Sequence, residues 1–370
     1  MVARQKDQAR LVGKPPIMIG AEIEGVTAVR PGFDLDLPAL TGWMETNVAS
    51  FSGPLAIGQF EGGQSNPTYL LTTPGRRYVL RRKPSGQLLK GAHAIDREVR
   101  VVTALGAAGF PVAKIHGLCA DDSVIGAWFY VMDHVEGRIF WDARLPEVDT
   151  IERAALYDSM NASLAALHAI DPAAIGLSDY GKPGNYFARQ IARWSQQYLG
   201  DEAAGRDPAM DHLVEWLPAN IPADDETSIV HGDARIDNII FHPTEPRVLA
   251  VLDWELSTLG HPLADFTYNA MAYHMPPDII AGLAGEDLGA LGLPSEEAYV
   301  AAYCRRTGRV GIPDYRFYLA FNFFRLAAIF HGIKGRVLHG NASSAEALQR
   351  AENFPRLAQI GLGLTLSRSR

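Results

Sequence analysis

Polar and apolar residues alternate in short runs over the first part of the chain and take up a helical spacing over the rest. Residues 54–60, 68–72 and 77–82 read as strands, with a Pro74-Gly75 turn between the last two. Residues 94–107 read as a helix with Ile95, Val99, Val102 and Leu105 on one face, ended by Gly109 and Pro111. Residues 115–118 and 128–132 are two more strand-like runs, and 37–48 is a helix with Asp36 as its N-cap. Beyond Gly137 the helical period takes over, at 150–168, 185–199, 211–217, 263–273, 295–308, 314–332 and 343–364. It is interrupted only by two short strands, 239–241 and 248–252, around a turn at 243–246. The pattern predicts an α+β chain in three parts: an arm over 1–36, a β-rich N-terminal lobe over 37–134 and a larger, mainly helical C-terminal lobe over 135–370.

Composition narrows the class. The 370 residues are 47% hydrophobic and 21% charged, a globular balance that can bury a core without disulfides. A net charge of −8 has the wrong sign for sequence-independent nucleic-acid binding, so no nucleic-acid partner is expected. Cys119 and Cys304 fit neither a metal spacing nor a redox pair and read as reduced core thiols. His242, His274, His331 and His339 show no metal-ligand spacing. Pro15 and Pro16 interrupt the N-terminal segment, which has no apolar signal core, and no apolar run reaches the length of a membrane span. The expectation is a cytoplasmic protein without a membrane partner; the pattern leaves its oligomeric state open.

The candidate chemistry lies between residues 229 and 253. His231-Gly232-Asp233 is followed by Asn238, five residues after Asp233, and by Asp253 at the end of an apolar run. An acid on a loop can accept a hydroxyl's hydrogen bond and then its proton, the task of Asp233. Asn238 and Asp253 offer the hard oxygens that Mg²⁺ prefers. A capped tight turn would explain His231-Gly232-Asp233 alone. The amide at this offset and an acid closing the second strand together point to phosphoryl transfer from ATP to a hydroxyl.

With these residues the chain resembles the aminoglycoside phosphotransferase-like family, which shares the protein-kinase fold. The hallmark spacing is His231 to Asn238. A narrower likeness, to the kinase-like domain of acyl-CoA dehydrogenase family members ten and eleven and to stand-alone bacterial relatives, rests on VHGDARIDNIIF, VLDWELSTLGHPLADF, FEGGQSNPTYLL, YVLRRKP and NYFARQIARW. It covers about residues 35 to 355. The resemblance implies a bilobed fold that binds ATP and Mg²⁺ between its lobes, and roles follow for individual residues. Gly62, Gly63, Gln64, Ser65 and Asn66 would form the loop over the phosphates, although a hairpin turn would look the same. Arg81 would grip the α- and β-phosphates where many kinases have Lys, with Lys83 the lesser candidate; of Arg81 and Arg82 one is expected to be solvated. Glu98 would pair with Arg81, unless it is a surface glutamate beside Arg97 and Arg100. Met132, Asp133 and Val135 would border the adenine, and Asp265 would brace the catalytic loop.

For the acceptor, a small hydroxyl compound, the helical inserts supply candidates. Tyr186, Gln190 and Trp194 share one face of a helix and Arg189 and Arg193 a neighbouring one, as a binding surface or an ordinary core face. Asn322 and Arg325 interrupt a very apolar helix and either line a pocket or pair internally. Arg235, inside the motif, is a further candidate. The narrower likeness implies a hydroxyacyl acceptor; the family name suggests an aminoglycoside or another amino alcohol. Readings from other classes are a catalytically silent nucleotide-binding module and a metal-dependent hydrolase.

Overall fold

The computed structural model describes residues 17–18, 25–61, 66–84, 94–280, 282–339, 348–349 and 351–366. In chain order the strands are β1 (Ile17–Met18), β2 (Val26–Thr27), β3 (Ala56–Phe60), β4 (Thr68–Thr72), β5 (Arg77–Arg82), β6 (Ile115–Cys119), β7 (Phe129–Asp133), β8 (Arg138–Ile139), β9 (Ser228–Val230), β10 (Ile239–Phe241), β11 (Val248–Val251) and β12 (Thr258–Gly260). The helices are α1 (Leu37–Asn47), α2 (Ile95–Ala107), α3 (Asp122–Ile125), α4 (Thr150–His168), α5 (Tyr186–Gly200), α6 (Pro208–Ala219), α7 (Pro262–Ala270), α8 (Leu288–Leu291), α9 (Glu296–Thr307), α10 (Tyr315–Leu338) and α11 (Phe354–Leu366). The fold is α+β and bilobed. No helix among the described residues is long and apolar enough to cross a membrane.

Among the described residues the first lobe is built on one antiparallel sheet of order β2-β3-β4-β5-β7-β6. Strand alternation sends Tyr78, Leu80 and Arg82 to one face and Val79 and Arg81 to the other. The first face is covered: Leu40 and Met44 of α1 pack on Tyr69, Leu71, Tyr78 and Leu80. Arg82 is buried there, donates to the Ile125 carbonyl at 3.4 Å and stacks over Tyr69. The opposite face carries Arg81, also largely buried, towards the second lobe. The expectation that one of the two arginines is solvated therefore fails, because both faces of β5 are covered.

The second lobe forms around α10, which is apolar on every side and buried for most of its length, as such a helix must be. It runs on to Leu338, beyond the break expected at Gly332. Gly332 and Gly335 are sites of close approach: a Cβ on Gly335 would lie 1.7 Å from the Asp201 carboxylate, and one on Gly332 2.5 Å from Gln197. Of the last expected helix, residues 343–347 and 350 lie outside the described residues, residues 348, 349 and 351 are helical, and the element from Phe354 runs to Leu366. The helices α3 and α8, each of four residues, carry too few apolar positions to show a period and are set by Asp121 and Asp287 caps.

The chain leaves the large sheet at Asp133 and next joins a strand at β8, which pairs with β10 of the second lobe. Between them Gly137 presses on β10: a Cβ there would lie 2.3 Å from the Phe241 carbonyl oxygen. Gly137→Ala should therefore force backbone apart at this junction and cost about 1–3 kcal/mol of stability, read as a lowered urea midpoint with unchanged slope.

Candidate active site

Two pairs of strands deliver the motif. β9 ends at Val230, and His231-Gly232-Asp233 turns off its end. The hairpin of β10 and β11 returns Asn238 and Asp253 to the same place, with Leu252 N–H donating to the Asn238 carbonyl at 2.8 Å. The His231 imidazole ties the two together, its Nε2 donating to the Leu252 carbonyl at 2.6 Å while Nδ1 accepts from Asp233 N–H. Gly232 has φ +84° and a Cβ there would lie 2.8 Å from the Leu256 carbonyl oxygen, so glycine is demanded by both conformation and space.

The turn is fixed from below. The buried Asp265 carboxylate, on α7, accepts from the N–H groups of His231 and Gly232 at 2.7 and 2.8 Å. Burial would push that carboxyl up, but His168, 3.3 Å away, and the loop around His231 hold it below the usual range, so it stays a charged acceptor. Arg325 of α10 donates to the Gly232 carbonyl at 2.6 Å, and Asn269 to that of Ala234 at 2.9 Å. Asn322 donates to the Ala264 carbonyl and to the Thr267 hydroxyl. Of the two alternatives left open for Asn322 and Arg325, internal pairing is the one observed.

Asp233 sits half-buried among donors. The Tyr268 hydroxyl donates to Oδ1 at 2.7 Å, Asn238 Nδ2 donates to Oδ2 at 3.0 Å, and Arg235 Nε lies 3.2 Å from Oδ1. Burial alone would raise its carboxyl; Arg235 first, then Tyr268, His231 and Asn238, bring it below the usual range. The Asn238 nitrogen also donates to the Asp233 carbonyl at 2.9 Å, so both its bonds go to one residue and its amide oxygen is left as the donor for a cation.

Across the cleft Arg81 meets three carboxylates. Its nitrogens lie 3.3 Å from Glu98, 3.0 Å from Asp253 and 3.2 Å from Glu255. Glu98 is 2% exposed, accepts from the Tyr130 hydroxyl at 2.9 Å and from Asn66 at 3.4 Å. Burial pushes its carboxyl up to about 7 against the pull of Arg81. The competing picture of a surface glutamate fails: Arg97 donates to the Tyr180 carbonyl and Arg100 pairs with Asp179, while Glu98 shares the buried stripe of α2 with Ile95, Val102 and Leu105. Lys83 is engaged elsewhere, 4.0 Å over the Trp128 ring. Asn66 also donates to Glu255 at 3.2 Å, which ties the end of the expected phosphate loop to this cluster. Gly62, Gly63, Gln64 and Ser65 lie outside the described residues. Met132, Asp133 and Val135, at the end of β7 and just after it, are half-buried. The Asp133 carboxylate is taken up by Arg76 and His116, both at 2.6 Å.

The helix face proposed for the acceptor is spent on packing. Tyr186 is 5% exposed against Phe187 and Phe321. Arg189 donates to the carbonyls of Gly184 and Lys182, and Gln190 accepts from the Trp194 indole at 3.2 Å. These α5 candidates are corrected to structural residues, because the aromatic stripe that resembled a binding surface is the one that anchors α5 in the core. Arg235, by contrast, touches Asp233. Sequence reasoning missed Tyr130, Tyr268 and Glu255. Tyr268 stands three residues after Asp265, one turn along the same helix face, which was the available signal. Glu255 follows Asp253 by two residues.

Comparison with known proteins gives the family. The model of the family described as "Phosphotransferase enzyme family" matches residues 56–321. Acyl-CoA dehydrogenase family member 11 of Gallus gallus is 48% identical over 320 residues, 85% of this chain and 41% of that protein. Acyl-CoA dehydrogenase family member 10 of Mus musculus is 42% identical over 348 residues, 93% of this chain and 32% of that protein. The chain thus spans less than half the length of these relatives. A crystal structure assigned as an aminoglycoside phosphotransferase from Ralstonia eutropha JMP134 superimposes with a TM-score of 0.84 at 52% identity, covering 91% of this chain and all of that one. This chain belongs to the phosphotransferase enzyme family, whose kinase-type members transfer a phosphoryl group to a hydroxyl acceptor.

Proposed function

We propose that this protein transfers the γ-phosphoryl group of ATP, with Mg²⁺, to a hydroxyl of a small molecule, and that this acceptor is a hydroxyacyl compound. The observation that carries the reading is the meeting of Asp233, Asn238 and Asp253 with the Arg81–Glu98 pair around one cleft. Phosphoryl transfer needs positioned charge more than covalent partners. When bound, Mg²⁺ neutralises charge on the phosphates. The donors present suit it: the free amide oxygen of Asn238 and the carboxylate of Asp253 are hard oxygens. Arg81 grips the phosphates through a planar fork of donors, and Glu98 holds that fork in place. Asp233, ionised, receives the acceptor's hydroxyl and then its proton. Support for an acyl acceptor comes from the names of the relatives, in which a stretch like this chain accompanies a longer one in proteins named for acyl-CoA dehydrogenation. The Ralstonia eutropha structure's assignment favours an aminoglycoside as the second reading.

Asp233→Asn preserves the shape of the loop and removes the proton acceptor. It should lower kcat by roughly 10²–10⁴-fold with ATP binding retained by calorimetry; unimpaired turnover would overturn the assignment. Acceptor class is read by ATP consumption with hydroxyacyl thioesters, hydroxy acids and aminoglycosides. Efficient phosphorylation of an aminoglycoside alone would overturn the acyl reading.

Glu98 gives a pH dependence. Its carboxyl titrates near 7 in the folded protein, and only its ionised form holds Arg81 by charge. The KM for ATP should therefore rise as pH falls through about 7, and Glu98→Gln should show a raised KM that no longer changes across that range. Stability moves the other way. Because the folded pKa lies above the ordinary value of 4.5, this group's contribution is present in full below 4.5 and is lost as pH rises through about 7.

A further inference from the structure

Next to Tyr268 and Arg235, the side chains that contact Asp233, a pocket opens between α4, the motif loop and the segment that follows α7. Its walls carry Tyr157, Met160, Met271, Ala272 and Ile280, with Trp141 among them, 47% exposed. Tyr268 and Arg235 belong both to this wall and to the surroundings of Asp233, so the pocket is continuous with the reacting centre.

Its polar groups are what decide its ligand. Among the described lining residues the charged ones are Arg235 and Asp237, which pair with each other at 3.2 Å. Four other polar side chains of the wall are engaged within the protein. Tyr157 donates to the Ala143 carbonyl at 2.7 Å, and Tyr273 to that of Pro294 at 3.1 Å. Asn269 donates to the Ala234 carbonyl and accepts from Tyr299, and Tyr268 is given to Asp233. A polyhydroxylated or polycationic ring would lose its hydration here and find few new partners, which is costly. A saturated carbon chain would lose only water.

We propose that this pocket receives an uncharged aliphatic segment of the acceptor and selects acceptors by the length of that segment. The proposal rests on the phosphotransferase reading for its location beside Asp233, and it reaches an apolar acceptor from the wall chemistry, independently of the relatives' names. With the hydroxyl at Asp233 the tail runs past Tyr268 towards Met160 and Met271, and Trp141, a large apolar side chain that is half exposed, covers the tail from the solvent side.

The test uses the full chain with straight-chain hydroxy acids and their thioesters, the hydroxyl kept at one position and the tail lengthened stepwise. In the wild type kcat/KM should rise about fourfold per added methylene until the inner wall is met, then fall. Ala272→Phe projects a ring into the space without removing a core side chain. It should move the optimum to shorter tails and cost the longest at least about tenfold, the yield of two or more methylenes, with the KM for ATP as the control for folding. Trp141→Ala, at a partly exposed position, should weaken long tails by several-fold and shift the optimum less. Calorimetric titration without ATP provides the second readout: the heat-capacity change on binding should grow more negative with tail length, and less so in Ala272→Phe. Turnover that ignores tail length, or a length profile that Ala272→Phe leaves unmoved, overturns the pocket assignment and leaves the kinase reading standing. Length-dependent binding with no phosphorylation of any acceptor upholds the pocket and overturns the kinase reading.

Discussion

The structure depends on one guanidinium. Arg81 is reached by Glu98 from α2 and by Asp253 and Glu255 from the far side of the cleft, so one buried cation holds together a strand and a helix of the first lobe and the end of β11 in the second. An arginine is suited to this, because its fork meets several carboxylates in one plane and it never loses its charge. Three carboxylates around one cation leave an excess of negative charge where the nucleotide's phosphates and their cation are proposed to lie. Burial relieves part of it by pushing Glu98 up to about 7. A cation brought to Asp253 would release part of Arg81 for phosphate, so the network is arranged to exchange partners.

Beside this cluster the loop that carries Asp233 is held rigid. Asp265, Arg325 and Asn269, from two helices, take up successive backbone groups of residues 231–234. These bonds are buried, where an unmade one would cost most. Asp233 is thereby fixed through its backbone, and its side chain is oriented by Tyr268 and Asn238. Rigidity at the base and exchange at the phosphate side are what positioned charge requires.

Much of this was legible in the sequence because it is encoded by spacing. The Asp233-to-Asn238 offset and the short strands around it survive as read, and α4 matches its expected bounds. What failed did so for identifiable reasons. The stripe of α2 was read through Val99, but the buried face runs through Glu98, because a charge that has a partner can occupy a core position and a hydropathy pattern cannot see the partner. Tyr186 and Arg189 looked like a binding surface because an aromatic face is the same pattern whether it meets a ligand or a core. Gly332 looked like a stop because the close approach of α5 and the loop after it is a tertiary fact. Tyr268 was passed over because its one signal, a place one turn after Asp265 on the same helix face, does not say that its hydroxyl reaches Asp233.

Charge divides the two sides of Asp233. Around Arg81 three acids and a guanidinium meet, where the nucleotide is proposed to lie; in the pocket, among the described lining residues, the charged pair is Arg235 and Asp237, set among apolar walls. Arg235 stands at the seam. Burial raises the Asp237 carboxyl against the pull of Arg235, while the same guanidinium is the first of the groups that hold the Asp233 carboxyl below its usual range. Two carboxylates this close would repel without it. The arginine inside the motif, which looked in the sequence like a candidate for the acceptor site, therefore has its charge largely spent before any acceptor arrives. On the proposed function, recognition of the acceptor is then left to shape and apolar surface, and the chemistry to the loop that holds Asp233.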